Sequence, residues 1–372
     1  MKILFGFGST QLSETPDWEY PEEHPLGGAE TAVLRVASGF RDLGHDVEIV
    51  NFPARTSEVR EVMAGKSCDI FINSRLPGPL LALKQAPAKL NYYWAHDDAN
   101  PWLVSVLEKP EWRTAFYQRV NGLFFLSHYQ RAAWMAQLGL VLEKTHLITN
   151  PIAYDRFQPE LSQLRARGPR AYYASTPHRG LKYLLKGWPL VRRYVPQAEV
   201  HVFSSLEVNG VPETDENNAL YQQAQNTPGV VYRGAVGQRA LREAAQQARV
   251  LAYPCCFPET SCIVAMEAMA AGAVVVGTEL GALPETAWKN PMQPLSDGWL
   301  DRWALDVARV LRDDDYYEDL ARQNLEVSRH YDAKVVIRRM SHVFRADLAA
   351  LGVQVNVELH PSAGGEVAGG KP

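Results

Sequence analysis

Short apolar runs alternate with amphipathic stretches almost from end to end of the chain, the pattern of parallel sheets wrapped by helices. Residues 2–7, 46–51, 69–73, 89–94 and 122–126 read as strands, and Ala32, Val33, Val36, Phe40 and Leu43 recur at helical spacing before a capping Gly44. Around 150–170 the rhythm breaks at Pro151, Pro159, Gly168 and Pro169, in a polar, Arg-containing stretch that reads as an interdomain linker. It then restarts, with strands expected at 171–175, 199–204, 230–233, 249–253 and 273–278. From 297 to 351 the pattern is helical, with Trp303, Val307, Val310 and Leu311 on one apolar face and Val336, Met340, Val343 and Phe344 on another. The expected fold class is α/β, with two Rossmann-like doubly wound domains.

Composition agrees with this and narrows the function. The chain has 372 residues, 46% apolar and 22% charged, enough for two domains with cores of their own. A net charge of -4 gives no electrostatic footprint for a nucleic-acid backbone. The first residues lack a secretory pattern and no run reaches the ~20 apolar residues of a spanning helix. The expectation is a cytoplasmic protein, with peripheral contact at the inner face of a membrane left open. Cys68, Cys255, Cys256 and Cys262 show no Cys-x-x-Cys spacing and read as reduced thiols. Asp97-Asp98 and Asp313-Asp314-Asp315 do not make a metal-ligand cluster, so neither metal nor cofactor is expected.

The segment 249–272 reads as a strand, a short loop and a glycine-capped helix. Thr260 or Ser261 is placed to cap that helix, whose unpaired N–H groups make an anion site at the carboxyl edge of a parallel strand. Glu259 lies just before the helix and Glu267 about two turns into it, roughly 10 Å apart. Such a pair suits a hydroxyl-rich ligand with a central phosphate, and spacing alone equally allows two solvated helix-face glutamates.

The E-x7-E spacing of Glu259 and Glu267, in the context Tyr253-Pro-Cys-Cys-Phe-Pro-Glu-Thr-Ser-Cys-Ile-Val-Ala-Met-Glu267 and followed by Gly281-Ala-Leu-Pro-Glu285, closely resembles retaining glycosyltransferases of family 4. The resemblance spans roughly residues 1–344. It implies a GT-B fold, with an acceptor-binding domain at 1–160, a nucleotide-sugar domain at 161–331, a terminal helix at 332–351 returning to the first domain, and a flexible tail at 352–372. It further implies that Glu259 contacts the transferred sugar, that Glu267 binds the ribose hydroxyls, and that backbone N–H groups of Thr260, Ser261, Cys262, Ile263 and Val264 hold the diphosphate and sugar. Arg179-Gly180-Leu181 matches the family's basic motif in a Ser-x-Pro-x-Arg-Gly-Leu variant. A guanidinium suits phosphate oxygens through its bidentate fork. The second cation of that motif would fall near Ala174 and is missing, leaving Ser175, Thr176 or Lys182 as candidates to replace it.

In the first domain Gly27-Gly28 resembles the family's glycine loop, where absent side chains let a ligand approach the backbone. His96, in Trp94-Ala-His-Asp97-Asp98, resembles the histidine beside the reacting sugar, and Asn150-Pro151-Ile152 reads as structural. Between Gly8 and Gly27 runs an acidic loop with Glu14, Asp17, Glu19, Glu22 and Glu23 around Trp18 and Tyr20. It reads either as an acceptor-facing lid, with Trp18, Tyr20 and Asp97 as acceptor contacts, or as a solvated loop. The implied activity is metal-independent, retaining transfer of a sugar from a UDP- or GDP-type donor to a hydroxyl acceptor, in bacterial glycan or glycoconjugate biosynthesis. A surface polysaccharide, a lipid-linked glycan, a protein or a small molecule all suit as acceptor. A nucleotide-sugar epimerase on the same fold and a non-catalytic nucleotide-sugar-binding protein are the rival readings.

Overall fold

The structure is a computed structural model and describes residues 1–8, 17–52, 56–83, 86–99, 101–139, 142–157 and 159–353. The first sheet contains β1 (Lys2–Phe7), β2 (Asp46–Asn51), β3 (Cys68–Ser74), β4 (Ala88–Trp94), β5 (Gly122–Phe125) and β6 (Thr145–Leu147), in the order β2-β1-β3-β4-β5-β6. The second contains β7 (Arg170–Ala174), β8 (Glu199–Phe203), β9 (Val230–Tyr232), β10 (Val250–Ala252), β11 (Val274–Thr278) and β12 (Met292–Gln293), in the order β12-β11-β10-β7-β8-β9. Every strand pair is parallel. Helices cover both faces of such sheets, which is why the central strands read as unbroken apolar runs. All of β11 and nearly all of β1 are buried.

The chain passes between the sheets twice, at adjacent places. Ile152 N donates to Tyr331 O at 2.8 Å, and Ala333 N donates to Ile152 O at 3.1 Å, so the outgoing and returning segments are paired. Ile152, Phe157 and Leu164 already pack in the second core, which puts the crossing near Asn150, ahead of the boundary expected at 160. After the return, the helix Ala333–Ala350 lays Val336, Ile337, Met340, Phe344 and Leu348 against Ala32, Val33, Val36 and Phe40 in the first core. Tyr92 anchors it further, donating to Asp347 Oδ2 at 2.6 Å. Residues 354–372, most of the expected tail, lie outside the described residues.

In each sheet the winding direction reverses between two neighbouring strands, β1 and β3 in the first and β7 and β10 in the second. Loops leaving the carboxyl ends of such strands diverge and open a crevice. The two crevices face one another.

Candidate active site in the interdomain cleft

The second domain supplies one wall from the loops after β7 and β10. Glu259, on the β10 loop, is buried, and its Oε1 accepts a hydrogen bond from Tyr253 Oη at 2.6 Å. The same oxygen is 2.5 Å from Nη1 of Arg179, which follows β7 and lies over the Phe257 ring at 4.3 Å. Burial works against the Arg179 cation, but Glu259 outweighs it and keeps the guanidinium protonated. Burial pushes the Tyr253 phenol well up, so it stays a donor. Burial, reinforced by Glu259, likewise raises the Cys255 thiol to about 12, which makes it an inert packing group.

Beyond Glu259 the helix Ile263–Ala270 begins, with Cys262 as its N-cap. The first N–H groups of a helix lack intrahelical partners, and here Cys262, Ile263 and Val264 line the cleft. Thr260 reaches across to the first domain and donates from Oγ1 to His96 O at 2.8 Å. Glu267 lines the cleft farther along the helix.

Gly27 and Gly28 begin the facing wall at the start of the helix Gly28–Asp42. A Cβ on Gly28 would sit 3.3 Å from Ile263 Cδ1 of the second domain, so this glycine permits close approach of the domains, while one on Gly27 would meet Oε2 of Glu30 in its own helix. After β3 comes Arg75, a non-glycine residue at φ 73°. Its Nε donates to Asp97 Oδ2 at 2.7 Å and its Nη2 to Asp97 Oδ1 at 3.3 Å, while Nη1 lies 3.4 Å from Glu30 Oε1. A left-handed backbone away from glycine costs about 1–3 kcal/mol, and these contacts hold it in place.

His96 follows β4. It is buried, and neither ring nitrogen finds a hydrogen-bond partner among the described residues. Burial, with help from the Arg75 cation, pushes its pKa down from 6.5 to about 3, so the imidazole is neutral at physiological pH. The unfolded chain takes up a proton here below pH 6.5 and the folded chain does not until about 3, so this residue costs stability as pH falls through that window. At pH 5 the cost approaches about 2 kcal/mol. His96→Gln should therefore lose less stability than wild type between pH 7 and pH 5, as measured by urea unfolding. Equal losses would show that His96 is protonated in the folded chain.

The walls enclose a cleft of about 260 Å³. Besides His96, the buried polar atoms Asn150 Oδ1, Ser204 Oγ and Ser261 Oγ line it without a hydrogen-bond partner among the described residues. Unpaired buried polar groups are costly unless a ligand satisfies them. Of the residues singled out from the sequence, Gly27, Gly28, His96, Asp97, Ser175, Thr176, Arg179, Glu259, Thr260, Ser261, Cys262, Ile263, Val264 and Glu267 all line this cleft. Lys182 does not: it is exposed, with Nζ 5.1 Å from the centre of the Tyr183 ring. Among the described residues the cations lining the cleft are Arg179 and Arg75, from opposite walls.

Residues 17–24 of the acidic segment before Gly27 lie outside the cleft lining. Its helix Tyr20–Glu23 packs on the second-domain helix Gln238–Gln247. Glu22 is 2.6 Å from Arg156 Nη1 and 2.9 Å from Arg242 Nη2, Glu19 also pairs with Arg156, and Glu23 pairs with Arg239. Trp18 lies under the Arg41 guanidinium and Tyr20 stacks on His24, both away from the cleft lining. Glu14 lies outside the described residues. Sequence reasoning passed over Arg75, Ser204 and Arg35, of which Arg35 had a legible signal as a lone charge inside an apolar helical run.

The same two-sheet arrangement occurs in solved structures. HepE of Anabaena in complex with UDP-glucose aligns at a TM-score of 0.72 and 17% identity over 93% of this chain and 100% of that one. Sucrose-phosphate synthase of Thermosynechococcus elongatus aligns at 0.70 and 15% identity over 94% and 100%. A glycosyltransferase from Rickettsia africae aligns at 0.64 and 13% identity over 93% and 98%. The fold is GT-B. Residues 170–313 match the family model of glycosyl transferases group 1. That match covers most of the second domain, including Arg179, Glu259 and Glu267. No curated protein matches the chain. Among the described residues no helix is long and apolar enough to cross a membrane.

Proposed function

We propose that the protein is a glycosyltransferase that moves a sugar from a nucleotide-diphosphate sugar to a hydroxyl acceptor with retention of anomeric configuration. The observation that carries the reading is the convergence of Arg179, Glu259 and the amino end of the helix Ile263–Ala270 at the β7/β10 crevice, facing Gly27–Gly28 across the cleft. The group 1 match over this domain and the UDP-glucose bound by HepE support a nucleotide-sugar donor.

In this reading the diphosphate lies between Arg179, the helix amino end and the glycine loop. Glu267 accepts from the ribose hydroxyls, and Glu259 contacts the transferred sugar. The anomeric C–O bond breaks with its electron pair going to the leaving phosphate. The acceptor oxygen forms its bond to the anomeric carbon on the same face, and its proton passes to the leaving phosphate oxygen. The protein's work is charge stabilisation of that phosphate and exclusion of water by the closed domains. No step calls on a carboxylate nucleophile or a metal. A panel of UDP- and GDP-sugars with hydroxyl acceptors, followed by NMR of the product and repeated with EDTA, tests this. The reading expects retained configuration and an unchanged rate in EDTA; an inverted product or loss of activity on chelation would overturn the mechanism.

A further inference from the structure

The helix Gly28–Asp42 buries the run from Thr31 to Ala37 with one charge inside it, Arg35. That guanidinium leaves its own domain. Nη1 lies 3.1 Å from Glu267 Oε1 and 3.4 Å from Pro151 O, and Nη2 donates to Gln238 Oε1 at 3.3 Å. One side chain thus joins the first domain, the crossing segment and two helices of the second domain. The ion pair is shielded, its side chains 11% and 7% exposed.

We infer that Arg35 is a positioning residue that aims the Glu267 carboxylate at the nucleotide and couples nucleotide binding to the closed arrangement of the two domains. The inference rests on the reading of Glu267 as the ribose ligand. Two neighbouring ribose hydroxyls need a group that accepts twice, and a carboxylate does so whereas a carboxylic acid gives up part of that capacity. Burial raises the Glu267 pKa, and Arg35 is the strongest influence opposing it. The other charged or titratable groups facing Glu267 are Arg242 on the helix Gln238–Gln247, Glu22 on the acidic segment and the Tyr172 phenol on β7. Arg242 is already paired with Glu22, so it does not replace Arg35. Opening the domains would withdraw Arg35 and leave the Glu267 carboxylate without its partner. By linkage, a nucleotide that needs this carboxylate favours closure by the same factor.

The test is calorimetric titration of UDP and GDP into the full chain and into Arg35→Met, Arg35→Lys, Glu267→Gln and the Arg35→Met/Glu267→Gln double variant at pH 6, 7 and 8.5. Whichever nucleotide binds wild type should bind Arg35→Met at least tenfold more weakly at pH 7. Its affinity for Arg35→Met should rise severalfold from pH 6 to 8.5 as the carboxyl ionises, while wild type changes less than twofold. Arg35→Lys, which keeps the charge, should recover most of the affinity without the pH dependence, and it carries the test if Arg35→Met does not fold. The double variant should bind no worse than Glu267→Gln. Wild-type affinity in Arg35→Met, or a pH-independent loss that adds to that of Glu267→Gln, overturns the inference. Unchanged affinity in Glu267→Gln instead overturns the ribose reading beneath it.

Discussion

Replacing Arg179 by alanine is expected to lower turnover by about 10²–10³-fold, the loss typical when a preorganised group that stabilises developing charge is removed. The cleft places few cations against a leaving diphosphate. Arg75, on the opposite wall, is held by both oxygens of Asp97 and lies near Glu30 as well. Arg179 is held by Glu259 and the Phe257 ring in an orientation that the helix amino end shares. Arg179→Lys should recover only part of the rate, because an ammonium keeps the charge but loses the planar fork. Glu259→Gln is expected to separate rate from binding. It removes the carboxylate beside the sugar and releases Arg179 from its ion pair, so turnover should fall while nucleoside diphosphate affinity holds or tightens. Initial rates of donor consumption with calorimetry on the same preparations check both. Turnover of Arg179→Ala within threefold of wild type would remove Arg179 from the chemistry.

The second large effect is on stability. Gly281 has φ 63°, and a Cβ there would lie 2.5 Å from both the backbone N and O of Glu259. These neighbours are fixed, since Ala282 N donates to Glu259 O at 2.6 Å and Glu259 and Gly281 form a β-bridge. Alanine would incur about 1–2 kcal/mol for the left-handed backbone and a further ~1–3 kcal/mol for overpacking. Gly281→Ala should therefore cost roughly 2–5 kcal/mol and displace Glu259, with loss of activity. Gly44→Ala is the control: φ is 83° and no heavy atom lies within 4 Å of the added Cβ. It should cost about 1–2 kcal/mol and leave activity intact. Urea unfolding of both checks this, and equal costs would mean that Gly281 is required only for its backbone angle.

Gly281 also shows why part of the site was legible in the sequence. Glu259, Glu267 and the Gly281 run lie within one strand-loop-helix unit and the turn after the next strand, so their spacing carries most of the geometry. The same locality made most strands readable, since β1 and β2 coincide with the expected 2–7 and 46–51. β6 and β12 escaped because strands of three and two residues at sheet edges are too short to show a pattern. Contacts between domains left little local trace beyond the lone charge of Arg35 in its apolar run. Arg35 and Glu267 are separated by 232 positions, and the pairing of Glu285 with the backbone N–H groups of His128 and Tyr129 spans 157 and 156. The contacts of the acidic segment are hidden for the same reason: its arginine partners are 137 and 220 residues away. A hydroxyl such as that of Ser204, without a partner among the described residues, is defined by what surrounds it in space, which no spacing rule reports.

The central claim is that a nucleoside diphosphate sits between Arg179, the helix Ile263–Ala270 and Glu267. Its most direct test is calorimetric titration of UDP, GDP and ADP into wild type and Glu267→Gln at pH 7. One of the three should bind wild type at least ten times more tightly than the variant. No binding by any of them, or equal affinity for both proteins, would contradict the account.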